Sequence, residues 1–139
     1  MRYVMFTYAG PERIADWEAM SAAEMQADIA RVTDWFRTNR ERIDGGEELG
    51  EPARAKLIRK RGITDGPFVE TKEALGGFII LEVASEAEAV EIAGAWPGLV
   101  HDSDRVELWP VGSAEEEAAA KAREEASTQQ ETGSPSAAG

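Results

Sequence analysis

The chain has 139 residues, no Cys and one His, and its 15 Lys and Arg stand against 27 Asp and Glu, a formal net charge of −12. A surface this acidic repels phosphate backbones, so no direct nucleic-acid partner is expected. The missing cysteines exclude a disulfide framework, a thiolate nucleophile and thiolate metal centres.

The first ten residues, MRYVMFTYAG, alternate Val4, Phe6 and Tyr8 with Tyr3, Met5 and Thr7. These are strand formers, and Gly10-Pro11 ends the run, so Arg2 to Tyr8 is a strand and not a signal peptide. No apolar run approaches the roughly 20 residues that span a membrane, and a cytoplasmic location without membrane contact is expected. The segment from Gly10 to Met20 has no clear period and reads as irregular. Ser21 with Glu24 forms a capping box ahead of Met25, Ile29, Val32 and Phe36, which predicts an amphipathic helix of about five turns ending near Arg42.

Ile43 to Leu49 and Arg54 to Lys60 read as two short strands around Gly50 and Pro52, and Phe78 to Val83 as a buried central strand. Ser85 with Glu88 predicts a second helix, whose face holds Ala89, Ile92, Ala93 and Trp96 and which Pro97-Gly98 closes. Val106 to Val111 is the last strand. From Ser113 onward the chain has no Leu, Ile, Val, Phe, Trp, Tyr or Met and holds six Glu against two basic residues. It divides into a folded domain, 1–112, and an acidic Ala/Glu-rich tail, 113–139, largely disordered beyond a solvated helix over Ala114 to Ala126.

Strand, helix, three strands, helix and strand make an α+β, ferredoxin-like pattern with one additional hairpin strand: an antiparallel sheet with two helices on one face. The other face of so small a sheet needs a cover, and a homodimer is the expected answer.

Between the third and fourth strands runs TDGPFVETKEALGGF, residues 64–78. Asp-Gly-Pro is a turn, and Glu70, Lys72 and Glu73 follow it with three charges in four residues. The simpler reading of this loop is a solvated turn; the functional one is a place for binding groups, with Asp65, Glu70 and Glu73 as paired carboxylates and Lys72 as an anion contact or a partner of Glu70 or Glu73. Tyr8 adds a hydroxyl at the end of the first strand, for a pocket or for a core or interface position. Trp17 is a candidate roof for such a pocket.

DGPFVETKEALGGF resembles the signature of the DGPF family, within the wider YCII-related group of small bacterial proteins. MRYVMFTYAG, GGEELGEP and VELWPV resemble that group's opening strand, second-strand turn and closing strand, so the likeness spans about residues 1–112. The resemblance implies a ferredoxin-like fold that dimerises into an α+β barrel with a pocket near the interface. It also implies an association with extracytoplasmic-function sigma factors, and hence a regulatory protein partner of that type. Some members are lactone-processing dehalogenases with a His–Asp dyad whose His lies early in the first helix. This chain has Glu24, Met25 and Asp28 there, so the dyad does not carry over. Trp109 stands where the family places a basic residue before Pro-Val.

The single His, His101, lies beside Asp102 and Asp104, as a solvated loop residue, a tuned acid/base or half of a metal site. No metal site and no cofactor is expected. Arg54, Lys56, Arg59, Lys60 and Arg61 crowd five positive charges into eight residues. They read either as a guarded edge strand or as a dock for an acidic partner or anion. Three functions follow: binding or sensing of a small molecule, which ranks first; a regulatory protein partner; and proton-transfer chemistry on a lactone, with Asp65, Glu70 or Glu73 in place of the missing dyad.

Overall fold

The computed structural model describes residues 1–65 and 74–133, with the side chains of Asp65 and residues 130–133 left out. Strand β1 (Arg2–Ala9) is followed by helices α1 (Pro11–Ala19) and α2 (Ala22–Thr38), then strand β2 (Ile43–Glu48). A hairpin of β3 (Lys56–Arg59) and β4 (Gly62–Asp65) precedes β5 (Ala74–Glu82), α3 (Glu86–Gly94), β6 (Arg105–Pro110) and α4 (Ala114–Gly133). The main sheet is antiparallel in the order β2-β5-β1-β6, the ferredoxin-like α+β arrangement, and β3 and β4 form a separate two-stranded sheet.

Alternation along the strands sorts the residues by face. Tyr3, Met5, Ile79, Leu81 and Val83 point to the helices, where Trp35 of α2 and Ala89, Ile92 and Ala93 of α3 complete the core. Met5 and Leu81 are fully buried, so truncating Leu81 to Ala would cost about 2–5 kcal/mol. Trp35 closes the layer: its indole N–H donates to the Ile92 carbonyl at 3.0 Å, and its ring meets Trp96 edge-on with centroids 4.9 Å apart. Val4, Phe6, Phe78 and Ile80 alternate to the opposite face, where they are half-buried.

The capping box of Ser21 and Glu24 starts α2, with both reciprocal hydrogen bonds formed, and Ser85 caps α3 by accepting from Glu88 N–H. Three expectations are corrected. The segment after β1 is helical, not irregular: Pro11 occupies the first turn, where its missing N–H costs nothing, and Glu12 suits the positive end of the helix. The additional hairpin strand does not join the main sheet. Gly62, at φ +150°, reverses the chain after Lys60 and Arg61 so that β3 pairs with the unforeseen β4. The solvated helix of the tail runs to Gly133 and not to Ala126, because Ala, Glu, Lys, Arg and Gln all favour helix and no Gly or Pro interrupts them.

Candidate functional site

Helix α2 does not lie flat on the sheet along its whole length. Between it and the β2 edge opens a cleft of 840 Å³, within the usual size of small-molecule sites. Met25, Ile29, Val32 and Phe36 of α2 form one wall, Ile43 and Ile79 contribute from the strands, and Trp17 of α1 closes one end. The glycines Gly45, Gly46, Gly76 and Gly77 make the strand side a bare backbone surface. Two of them are required by the strands themselves. A Cβ on Gly46, at φ +146°, would sit 2.3 Å from the Phe78 carbonyl oxygen, and one on Gly77 would sit 2.7 Å from the Glu47 oxygen. The strands approach closely here, at the register shift between Ile43 and Gly46.

The polar groups of the lining are Thr7, Asp28, Thr33, Glu47 and Glu48. Thr7 directs its hydroxyl proton to the Gly77 carbonyl and Thr33 to the Ile29 carbonyl, which leaves both oxygens as acceptors. Asp28 is held from behind. Arg13 Nη2 lies 2.6 Å from Asp28 Oδ1, and Arg31 meets the same oxygen from one turn further along α2, leaving Oδ2 available to the cleft. Burial works to raise the Asp28 pKa, but the two guanidinium groups outweigh it and hold the carboxyl below its ordinary value. The cleft therefore combines apolar walls with hydrogen-bond acceptors, and its charged lining groups among the described residues are all carboxylates.

The sequence candidates fall in different places. Trp17 lines the cleft, as a roof would, from helix α1. Tyr8 lies on the opposite sheet face from Thr7. Its hydroxyl donates to Glu107 Oε1 at 3.3 Å, Arg105 covers its ring at 4.1 Å, and burial followed by the Glu107 charge raises its pKa. The Asp65 backbone pairs with Lys56 across the hairpin. The Asp65 side chain, Glu70, Lys72 and Glu73 lie outside the described residues.

His101 is away from the cleft and is more than a solvated loop residue. Its Nε2 lies 2.6 Å from Asp16 Oδ2 and its Nδ1 lies 3.0 Å from Glu12 Oε2, so two carboxylates one turn apart on α1 grip both ring nitrogens. The Asp16 hydrogen bond leads the causes that raise its pKa, joined by the Asp16, Glu12 and Asp104 charges. Asp104 caps the loop, accepting from the backbone N–H groups of Gly10, Val100 and His101, and burial acting upward on its pKa is outweighed by those three bonds. Sequence reasoning missed Arg13, Glu12 and Asp16. The signal was there in Pro11 and the Glu12/Asp16 spacing of four once that segment is read as a helix.

Among the described residues, no group of three or more His, Asp and Glu side chains is placed to hold a metal ion. No helix among them is long and apolar enough to cross a membrane.

No curated protein matches the chain significantly. Among solved structures, it is similar to 5-chloro-2-hydroxyhydroquinone dehydrochlorinase (TftG) from Burkholderia phenoliruptrix AC1100, in complex with 2,5-dihydroxybenzoquinone. The identity is 16% and the TM-score 0.45, over 81% of this chain and 96% of that one. The model of the YCII-related domain matches residues 1–111, the whole sheet with α1, α2 and α3. On that match, the chain belongs to the YCII-related family.

Proposed function

We propose that this YCII-related protein binds a small molecule in the α2–β2 cleft, and that the ligand is an apolar, ring-sized body carrying hydroxyl or amine donors and no carboxylate or phosphate. The observation that carries this reading is the chemistry of the lining. Met25, Ile29, Val32, Phe36 and Trp17 supply apolar contact, whereas Thr7, Thr33, Asp28 and Glu48 offer acceptors and negative charge. An anion there would face repulsion in a partly desolvated site, and a donor would find partners. The protein acts as a homodimer, with the half-buried apolar face of Val4, Phe6, Phe78 and Ile80 against a second copy. The role is binding or sensing: His101, the single imidazole, is committed to Glu12 and Asp16 and does not line the cleft.

The test is a thermal-shift series pairing each neutral or amine-bearing ring compound with its carboxylated counterpart. Ligands that bind the native state raise its melting temperature by mass action. Stabilisation is expected from the neutral and amine members, and it should vanish in Val32→Trp, which fills the cleft from an α2 position. Selective stabilisation by the carboxylates, or stabilisation that survives Val32→Trp, would overturn the proposal.

A further inference from the structure

Helix α1 is seated on the domain mainly by polar contacts. Arg13 is its one buried side chain, paired with Asp28 of α2, and Ile14 is only half-buried. At the start of the helix the Gly10 N–H donates to Asp104 Oδ1 at 2.9 Å. The third contact is the grip of Glu12 and Asp16 on the two ring nitrogens of His101. Residue spacing sorts these roles onto two adjacent stripes of one short helix. Glu12 and Asp16, four apart, face the loop before β6, and Arg13 and Trp17, also four apart, face α2 and the cleft. The side chain that closes the end of the cleft therefore follows directly on one that His101 holds.

Both nitrogens of an imidazole donate only when the ring is protonated. A neutral ring donates to one carboxylate and turns a lone pair toward the other, and with Asp16 and Glu12 at 2.6 and 3.0 Å one half of the grip becomes repulsive. Asp104, from the ring's own loop, is the third negative charge acting on it. The rest of the seat keeps its charge through neutral pH, since arginine stays protonated and the Asp28 and Asp104 carboxyls both have lowered pKa values. We propose that α1 is a proton-latched cover on the cleft. With His101 charged, α1 holds Trp17 across the end of the cleft; with His101 neutral, the turn bearing Asp16 and Trp17 is released, and the Arg13–Asp28 pair remains as its tether. The inference rests on the cleft being the ligand site, and it gives that site a regulation: entry and release are faster above the His101 titration than below it.

Amide hydrogen exchange read by NMR tests it on the ligand-free, full-length protein between about pH 5.5 and 8.5, with rates expressed as protection factors so that the intrinsic pH dependence cancels. Protection of the α1 amides should lie well below that of α3, because α1 opens on its own, and should fall about threefold or more through the His101 midpoint. The Trp17 indole N–H signal should move with the same midpoint. In His101→Gln, and separately in Glu12→Gln/Asp16→Asn, α1 should be poorly protected at every pH and the Trp17 signal should not titrate; circular dichroism checks that each variant keeps the fold. Level α1 protection and a fixed Trp17 signal in the wild type, α1 amides as protected as those of α3 throughout, or a step that persists in both variants would overturn the cover. These readings need no ligand, so they separate two failures. A missing latch removes the regulation and leaves the cleft reading standing, whereas a thermal-shift series without a single binder removes the cleft reading and the purpose of the cover with it.

Discussion

Arg13 and Asp28 join α1 to α2 through a buried ion pair, with Nη2 and Oδ1 2.6 Å apart and side chains only 3% and 9% exposed. This contact fixes the helix that carries Trp17 against the helix that carries the apolar wall of the cleft. Arg13 also stacks its guanidinium over the Trp17 ring at 5.1 Å, so one side chain holds both the carboxylate and the indole.

Removing one partner of such a pair leaves the other charge buried without compensation. Asp28→Ala should destabilise the fold by about 3–5 kcal/mol in chemical denaturation, and the double variant Arg13→Met/Asp28→Leu by clearly less. Double-variant loss equal to the sum of the single losses would show that the two groups act independently. Because the Asp28 pKa is lowered by folding, its contribution is complete above the ordinary carboxylate value of about 4 and fades as the pH falls through the folded value. The slope of stability with pH on the acid side should therefore flatten in the double variant.

His101 titrates with the opposite sign. Its pKa is raised by Asp16 and Glu12, so the clasp between α1 and the loop before β6 is complete below about pH 6.5 and is lost as the pH rises through the folded value. A one-dimensional proton NMR titration should give the imidazole a pKa above that of a free histidine, and Asp16→Asn should bring it down. An unshifted value in the wild type would contradict the clasp.

Gly46 and Gly77 are predicted to resist substitution for steric reasons. Alanine at either place would drive its Cβ into a carbonyl oxygen of the neighbouring strand, at a cost on the order of 1–3 kcal/mol, measured as a lowered denaturation midpoint. Gly45, with a positive φ of 119° but open space around its Cβ position, should lose less.

The tail makes no contribution to the core. Deleting residues 113–139 should leave the melting temperature within about 3 °C of the full chain, corresponding to less than about 1 kcal/mol. A larger drop would mean that the contact α4 makes through Glu117, half-buried with its Oε1 shielded from solvent, carries more of the stability than an otherwise exposed, Glu-rich helix should.

The elements with strong local signals were legible in the chain. Val4/Met5 alternation, the Ser21–Glu24 box and the apolar run at Phe78 each state their own structure within a few residues. Helix α1 was obscured because Gly10-Pro11 both ends a strand and starts a helix, and because its buried residue is Arg13, whose burial depends on Asp28 fifteen positions away. The cleft was hidden for the same reason at larger scale. Its lining comes from α1, α2, β1, β2 and β5, and the stripe from Met25 to Phe36 looks identical in sequence whether it meets a packed core or an open space. Of the candidate site residues, Tyr8 could be assigned to a face by alternation, but its partners Arg105 and Glu107 lie almost a hundred residues on and follow from the β1–β6 register.

Whether the cleft takes a donor-bearing, non-anionic ligand is read directly from nitrogen–proton correlation spectra of the labelled protein. Titration with small hydroxylated or amine-bearing ring compounds should shift the amides of Thr7, Val32, Thr33, Gly46 and Gly77 together, and their carboxylated counterparts should leave those signals in place. Shifts from the carboxylates at these residues, or silence there from every neutral and amine-bearing compound, would contradict the account.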